Sequence, residues 1–118
     1  MSGIPDYREH LRNVNQHLAP MREDLPAAMK AFNDLGKAVS VNGALERKTK
    51  ELIALSLGVA ARCDGCIGFH VQTLVKLGIT RAELEEALAM AVYMGGGPSL
   101  MYSAHALAAF ETFSPPPA

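Results

Sequence analysis

The residues best suited to chemistry in this chain are two cysteines, a histidine and a glutamate. Glu51, Cys63, Cys66 and His70 follow the pattern Glu-x11-Cys-x2-Cys-x3-His. On a helix Cys66 and His70, four positions apart, lie one above the other on the same face, so a thiol and an imidazole can meet there. Cys63 lies one turn before Cys66, close enough for a disulfide to form and break without large backbone movement. The pattern therefore predicts a reversible dithiol with a base beside it.

The cysteines are expected at the start of a helix, because the turn-forming residues of the segment Arg62-Cys63-Asp64-Gly65-Cys66 interrupt an apolar run. Free backbone N–H groups and the positive end of the helix dipole stabilise a thiolate there. They can lower a cysteine pKa from ~8.5 to a range of roughly 3.5 to 7.5. A nucleophilic thiolate is therefore expected at this helix start.

Glu51 belongs to the preceding helix, and its role depends on how the two helices pack. If they are in contact, its carboxylate accepts the second imidazole proton of His70 and orients that base. The alternative for Glu51 is a solvated carboxylate beside Arg47, Lys48 and Lys50. The alternative for His70 is a buried imidazole that is hydrogen-bonded to a backbone carbonyl.

Six helices are predicted to position these residues, from apolar periodicity and from start and stop signals. They run from about Tyr7 to Leu18, from Asp24-Leu25-Pro26 to Val39, from Leu45 to Ala61, from the cysteines to Gly78, from the Thr80/Glu83 capping box to Gly95, and from Pro98 to about Phe113. Pro20 is expected to end the first helix.

Two of these helices carry extended apolar faces. The second helix has an apolar stripe, made by Met29, Phe32, Leu35 and Val39. The third helix is apolar on every side over residues 52–61, which is typical of a helix that ends in the core.

Composition indicates one all-α domain over residues 1–118, with a proline-rich tail at 114–118. Ala occurs eighteen times in the 118 residues, whereas Val, Ile and Thr together occur fifteen times, so helix formers dominate. Charged residues make up 19%, hydrophobic residues 49%, and the 11 basic and 12 acidic residues nearly cancel. This balance excludes intrinsic disorder and a strongly basic surface for nucleic acid, and the three basic residues at 47–50 are too few to change that.

Residues 87–110 contain no Asp, Glu, Lys or Arg. The break at Gly95-Gly96-Gly97-Pro98-Ser99 favours two short helices, in a buried hairpin or a subunit interface, over a membrane span. A monomer of this size would struggle to cover this segment and the third helix, so a homo-oligomer is expected. The first residues show no secretory signal, and we expect a cytoplasmic protein.

Together these residues resemble the alkylhydroperoxidase D-like branch of the carboxymuconolactone decarboxylase family. The resemblance rests on the Glu-x11-Cys-x2-Cys-x3-His pattern, with Leu45-Glu46-Arg47 before it and Gly95-Gly96-Gly97-Pro98 after it, and it covers most of residues 25–113. It implies an all-helical fold assembled into trimers or hexamers, and we expect no cofactor. It also implies antioxidant thiol peroxidase or disulfide reductase activity, which an adaptor protein or a small dithiol supplies with electrons.

The resemblance also implies a role for each site residue. Cys66 would react with peroxide, Cys63 would resolve the product, and Glu51 and His70 would relay the proton. The decarboxylases of the family lack the cysteine pair, which argues against lactone decarboxylation here. Some hydroperoxidase members have His immediately before the second cysteine, where this chain has Gly65.

The order of the two cysteines is open to two analogies. In thioredoxin-like motifs the first cysteine is the nucleophile with the low pKa, which favours Cys63. Helix geometry favours Cys66, because His70 is four residues from it and seven from Cys63, an axial distance of about 10 Å.

Two other functions fit parts of the pattern. The four residues could ligate zinc, although three of them would crowd onto barely two turns of one helix. A c-type haem site is excluded because no His follows the second cysteine directly. The chain could also be a non-catalytic helical oligomer or redox-sensing module, with an adaptable surface at Met90, Met94 and Met101, although Met at helical spacing is more often core filler.

Four further side chains are given no chemical role, and two of them, Tyr102 and His105, have no spacing partner. Tyr102 and His105 are interpreted as packing residues, and His10 and His17 as surface residues.

Overall fold

The structure is a computed structural model that describes residues 3–116, and within them it contains six α-helices and no strand. The helices are α1 (Tyr7–Asp24), α2 (Pro26–Val39), α3 (Arg47–Ala60), α4 (Asp64–Lys76), α5 (Arg81–Gly95) and α6 (Gly97–Phe113). The predicted all-α class and the six-helix order are confirmed.

The predicted helix starts and stops are realised by specific contacts. Asp6 caps α1 by accepting a hydrogen bond from the backbone N–H of Glu9 at 3.3 Å. Thr80 and Glu83 form the reciprocal capping box at the start of α5, with bonds of 3.0 and 3.1 Å. Gly78, with φ +79°, adopts the left-handed conformation that ends the turn after α4. Local chemistry therefore fixes these boundaries.

Helix α4 lies at the centre and packs against α3, α6 and α1, while α5 packs against α3 and α6. Its apolar residues Ile67, Val71 and Leu74 are fully buried or nearly so. They meet a core contributed by the other helices, namely Tyr7, Leu55, Val59, Ile79, Leu84, Leu88, Ala91, Ala106 and Ala109. The start of α4, with both cysteines, is thereby held by three helices.

Two glycines let neighbouring helices approach α4 closely. A Cβ atom at Gly58 of α3 would lie 3.0 Å from Cβ of Cys66, so α3 contacts the cysteine turn at this point. A Cβ atom at Gly68 of α4 would lie 2.7 Å from Cδ2 of Leu11 and 3.0 Å from Cδ1 of Tyr7. The helix α4 is therefore contacted by α3 on the face of Cys66 and by α1 on the face of Gly68.

The prediction that Pro20 ends the first helix is wrong, because α1 continues to Asp24 with Pro20 inside it. Proline lacks the N–H that would bond the carbonyl four residues earlier. This part of α1 is exposed, so water can donate a hydrogen bond to that carbonyl instead.

The apolar stripe of α2 is exposed, and the prediction that α3 ends in the core is correct for one of its faces. No residue of α2 is buried, and Phe32, Leu35 and Val39 are 76%, 58% and 56% exposed. On α3 the face with Leu55, Gly58 and Val59 is buried, whereas Ile53 and Leu57 on the other face are exposed. Periodicity indicates that a face is apolar, and it does not say which partner covers it. Met90, Met94 and Met101 are likewise exposed in the single chain and do not fill the core.

The charge-free segment 87–110 forms the end of α5 and most of α6. Gly96, with φ +74°, makes the break between them. One side of this hairpin is buried at Ala91, Ser103 and Ala106. Among the described residues, no helix combines the length and the apolar character that crossing a membrane requires.

Candidate active site

The two cysteines occupy the first turn of α4 and are joined by a disulfide. Cys63 is the N-cap residue, and the backbone N–H of Cys66 donates a hydrogen bond to its Sγ at 3.1 Å. Their Cα atoms lie 5.2 Å apart, which is an ordinary separation for a disulfide. The predicted placement of the pair at a helix N-terminus is correct. The helix N-terminus therefore stabilises a thiolate on Cys63, the N-capping residue, whereas Cys66 lies one turn before His70.

Glu51 and His70 meet across the interface between α3 and α4. Nδ1 of His70 lies 2.6 Å from Oε2 of Glu51. The Glu51 side chain is 9% exposed and that of His70 is 35% exposed, so a buried carboxylate is hydrogen-bonded to a partly exposed imidazole. When Nδ1 donates to the carboxylate, Nε2 carries the lone pair and can accept a proton.

This contact decides between the interpretations of Glu51 and His70. The solvated-carboxylate alternative is wrong, because Glu51 is buried against His70. The neighbouring lysines have other partners: Nζ of Lys48 bonds Oε2 of Glu83 at 2.8 Å, and Nζ of Lys50 bonds the carbonyl of Val41 at 2.8 Å. The backbone-carbonyl alternative for His70 is wrong for Nδ1, since its partner is a carboxylate.

Helix periodicity places His70 on the same face of α4 as Cys66, one turn further along. That face is the one that α3 contacts, because Gly58 of α3 lies against Cys66 and Glu51 of α3 bonds His70. The structure therefore brings the four predicted site residues to the α3/α4 interface at the start of α4. An acceptor imidazole one turn from a cysteine is an arrangement that can activate a thiol.

Sequence reasoning missed a second polar group around Asp64, the residue directly after Cys63. Oδ1 of Asp64 accepts hydrogen bonds from the Tyr7 hydroxyl at 2.6 Å and from Nδ1 of His105 at 2.8 Å. The ring of Tyr102 stacks on that of His105 at a centroid distance of 4.4 Å. Burial of Tyr7, and secondarily its hydrogen bond to Asp64, raise the pKa of its hydroxyl far above the ordinary value.

These residues form what we call the Asp64 cluster: Tyr7, Asp64, Tyr102 and His105. The packing interpretation of His105 therefore omitted its hydrogen bond to Asp64, whereas Tyr102 does pack, on the ring of His105. No local pattern could have shown it, since 57 and 41 positions separate Asp64 from Tyr7 and from His105. The one available signal was an acidic residue inside the Cys-x-x-Cys turn. Within residues 3–116, no group of three or more His, Cys, Asp or Glu side chains is arranged to hold a metal ion.

Comparison with known proteins gives a consistent relationship. The model of the carboxymuconolactone decarboxylase family matches residues 26–109. An uncharacterized protein of Cupriavidus necator is 38% identical over 109 residues, which cover 92% of this chain and 96% of that protein. An uncharacterized protein from the cox locus of Paracoccus denitrificans is 35% identical over 81 residues, 69% of this chain and 73% of that one.

Two solved structures share the fold as well. A carboxymuconolactone decarboxylase family protein of Legionella pneumophila has a TM-score of 0.89 and 56% identity, over 92% of this chain and 97% of its own. A family member of Thermotoga maritima, for which a role in an antioxidative response has been suggested, has a TM-score of 0.73 and 31% identity, over 91% and 88%. Sequence and fold thus agree over the helices that carry the cysteine turn and the Glu51–His70 contact, and the chain belongs to the carboxymuconolactone decarboxylase family.

Proposed function

We propose that the protein is a thiol-dependent peroxidase that also exchanges with disulfides, with Cys66 as nucleophile, Cys63 as resolving cysteine, and His70 and Glu51 as the proton relay. The observation that carries the proposal is the 2.6 Å contact between His70 and Glu51, because it places an oriented base one helical turn from Cys66 and thereby favours Cys66 over the N-capping Cys63 as the nucleophile. The family relationship and the antioxidative role suggested for the Thermotoga maritima protein support it.

The oxidative half-reaction begins with the reduced pair. Nε2 of His70 accepts the Cys66 thiol proton, and Glu51 stabilises the imidazolium through Nδ1. The thiolate attacks the terminal oxygen of a hydroperoxide, so that an S–O bond forms and the O–O bond breaks. The alkoxide leaves and takes the proton from His70, which gives an alcohol and a sulfenic acid on Cys66.

Resolution uses the second cysteine. The Cys63 thiol attacks the sulfenic sulfur, and water leaves as the disulfide forms. An external dithiol, either a small molecule or an adaptor protein, then reduces the disulfide to two thiols and is itself oxidised. A cycle of this kind needs a compartment that supplies reduced thiols, and we propose the cytoplasm.

Intact-mass measurement of the protein tests this function. The protein is first reduced, freed of reductant and then treated with one equivalent of peroxide. We expect a loss of two hydrogens that peptide mapping assigns to a Cys63–Cys66 bond, while the Cys66→Ser variant keeps its mass. An unchanged mass of the wild-type chain contradicts the proposal.

We also infer that the protein forms a homo-trimer or homo-hexamer. The inference rests on the uncovered apolar faces of α2, α3 and α5. A groove of about 330 Å³ between α3 and α5 is lined by side chains that include Leu52, Ile53, Leu57 and Met90. Clusters of exposed apolar residues of this kind mark interfaces between proteins. Light scattering at micromolar concentration should report a multiple of the 12.6 kDa chain, and a 12.6 kDa particle contradicts the inference.

A further inference from the structure

The Asp64 cluster shares no hydrogen bond with the Glu51–His70 pair, and one of its members, Asp64, lies inside the cysteine turn. Asp64 follows Cys63 directly and is the first residue of α4. Its carboxylate is held by donors from two other helices, the Tyr7 hydroxyl of α1 at 2.6 Å and Nδ1 of His105 of α6 at 2.8 Å. Tyr7 is fully buried, and the Asp64 and His105 side chains are 23% and 14% exposed.

The cluster and the relay lie on different faces of α4. One turn beyond Asp64, Gly68 lies against Tyr7 and Leu11 of α1, whereas Cys66 lies against Gly58 of α3. On a helix, positions 64 and 66 are about 200° apart, and positions 64 and 68 are about 40° apart. The cysteine turn is therefore flanked by one carboxylate–imidazole pair on each side.

A structural tie between α1, α4 and α6 does not require a negative charge. An asparagine has the same shape, and its amide oxygen can accept the same two hydrogen bonds. The carboxylate differs in its charge, which is fixed within one residue of Cys63 by two donors. A fixed negative charge close to a thiol opposes formation of the thiolate that the helix N-terminus favours.

We propose that Asp64, fixed by Tyr7 and His105, is a positioning residue that lowers the reduction potential of the Cys63–Cys66 couple. A lower potential makes the dithiol a stronger reductant. The proposal rests on the dithiol chemistry proposed above. Reduction adds two electrons and two protons to the disulfide, and one of the two thiols then releases its proton to become a thiolate. Asp64 destabilises that thiolate and hence the reduced form, so the disulfide is favoured. Because His105 donates to the same oxygen whether its ring is neutral or protonated, removal of the Asp64 charge shifts the couple in the same direction in both cases.

Equilibration with dithiothreitol redox buffers, without any peroxide, tests the proposal. Thiols are alkylated at fixed ratios of reduced to oxidised dithiothreitol, and the two forms are counted by mass spectrometry. We expect Asp64→Asn to shift the equilibrium roughly three- to tenfold toward the dithiol, where tenfold equals about 30 mV for two electrons. Glu86→Gln, which removes an exposed carboxylate of α5, should stay within about 1.5-fold of the wild type, as a remote screened charge does.

Two further variants separate charge from packing. Tyr7→Phe removes a donor and keeps the carboxylate, and we expect it to stay within about twofold of the wild type. Asp64→Glu keeps the charge on a longer side chain and should lie closer to the wild type than Asp64→Asn does. Circular dichroism confirms that each variant is folded.

Three results would overturn the proposal: an unshifted equilibrium in Asp64→Asn, a shift in Tyr7→Phe as large as that in Asp64→Asn, or a larger shift in Asp64→Glu than in Asp64→Asn. The assay is separate from the test of peroxidase activity. A protein that does not consume peroxide but shows the Asp64→Asn shift contradicts the proposed peroxidase function and supports the role of Asp64.

Discussion

The start of α4 has a carboxylate–imidazole pair on each side, and the two pairs are built differently. Glu51 and His70 form a simple pair in which the carboxylate is buried and the imidazole is 35% exposed. Asp64 bonds both His105 and Tyr7 through one oxygen, His105 is only 14% exposed, and Tyr102 stacks on its ring. The imidazole is thus more exposed in the Glu51–His70 pair than in the Asp64–His105 pair.

The difference in setting indicates a difference in function. A base that exchanges protons with a substrate needs access to it, and His70 has that access on the face of α4 that carries Cys66. A charge that acts on the cysteines without transferring a proton needs fixed partners rather than access to substrate, and Tyr7 and His105 are such partners for Asp64. A carboxylate–imidazole pair near a cysteine is therefore not by itself a relay, because exposure of the imidazole decides what the pair can do.

The largest expected effect is on sulfenic acid formation, and it differs between the two cysteines. Cys66→Ser should abolish sulfenic acid formation, because the remaining thiol of Cys63 has no imidazole one turn further along α4. Cys63→Ser should leave Cys66 able to form a sulfenic acid, which persists or over-oxidises for lack of a resolving thiol. Dimedone labelling measures both outcomes. Labelling of Cys66→Ser but not of Cys63→Ser would reverse the assignment.

The next largest effect is on the rate of sulfenic acid formation, and it is expected to differ between variants of His70 and of His105. His70→Ala should slow sulfenic acid formation by about 10²-fold, as loss of a general base does, and raise the thiol pKa of Cys66. Glu51→Gln should act in the same direction by about tenfold, because it acts through His70. His105→Gln is the matched control and should change the rate less than about threefold. Its imidazole is not the proposed general base, so the substitution removes no general-base catalysis. Stopped-flow peroxide consumption checks all three, and equal losses for His70→Ala and His105→Gln would remove the distinction between the two sides.

The two sides also differ in how far the sequence could predict them. Cys63, Cys66 and His70 lie within eight positions of one helix, so the helical repeat alone predicts that they share a face. Glu51 required one assumption, that consecutive helices pack together, and the 2.6 Å contact satisfies it. The roles of these four residues remain predictions.

The Asp64 cluster could not be predicted, because its members come from three helices and share no periodic relation. The exposure of the apolar stripe of α2 could not be predicted for a related reason, since a periodic pattern reports the character of a face and not its partner. The prediction for Pro20 is wrong because α1 is exposed there, so water can donate to the carbonyl that the missing N–H leaves without a partner. In each case tertiary context decided the outcome.

A smaller effect, on the free energy of unfolding, tests whether α1 packs closely against α4 beside Asp64. In Gly68→Ala the new methyl group would meet Leu11 and the buried ring of Tyr7, at 2.7 and 3.0 Å. We expect the free energy of unfolding to fall by about 1–3 kcal/mol. Gly65→Ala is the matched control in the same helix, because a Cβ there meets nothing within 4 Å. Its stability should be unchanged or rise by up to about 1 kcal/mol. Urea unfolding measures both, and equal stabilities of the two variants would contradict the close contact of α1 with α4.

The smallest effect is a pH dependence of stability that originates on the Asp64 side. Burial and the bond to Asp64 raise the pKa of Tyr7 above its ordinary value of 10.0, so the folded protein retains a proton that the unfolded chain releases. The stability that this proton contributes is complete below pH ~10 and declines above it, by about 1.4 kcal/mol for each pH unit.

Tyr7→Phe should lack this decline, because phenylalanine has no proton to release. Below pH ~10 the variant should be less stable by about 1–2 kcal/mol, owing to the lost hydrogen bond. Between pH 10 and 11 its unfolding curve should approach that of the wild type. Tyr93 and Tyr102 are present in both proteins, so their contributions cancel in the difference. Urea unfolding at several pH values measures this difference. If the two stability curves stay parallel across this range, Tyr7 is not the protonated, Asp64-bound group that closes this side of the cysteine turn.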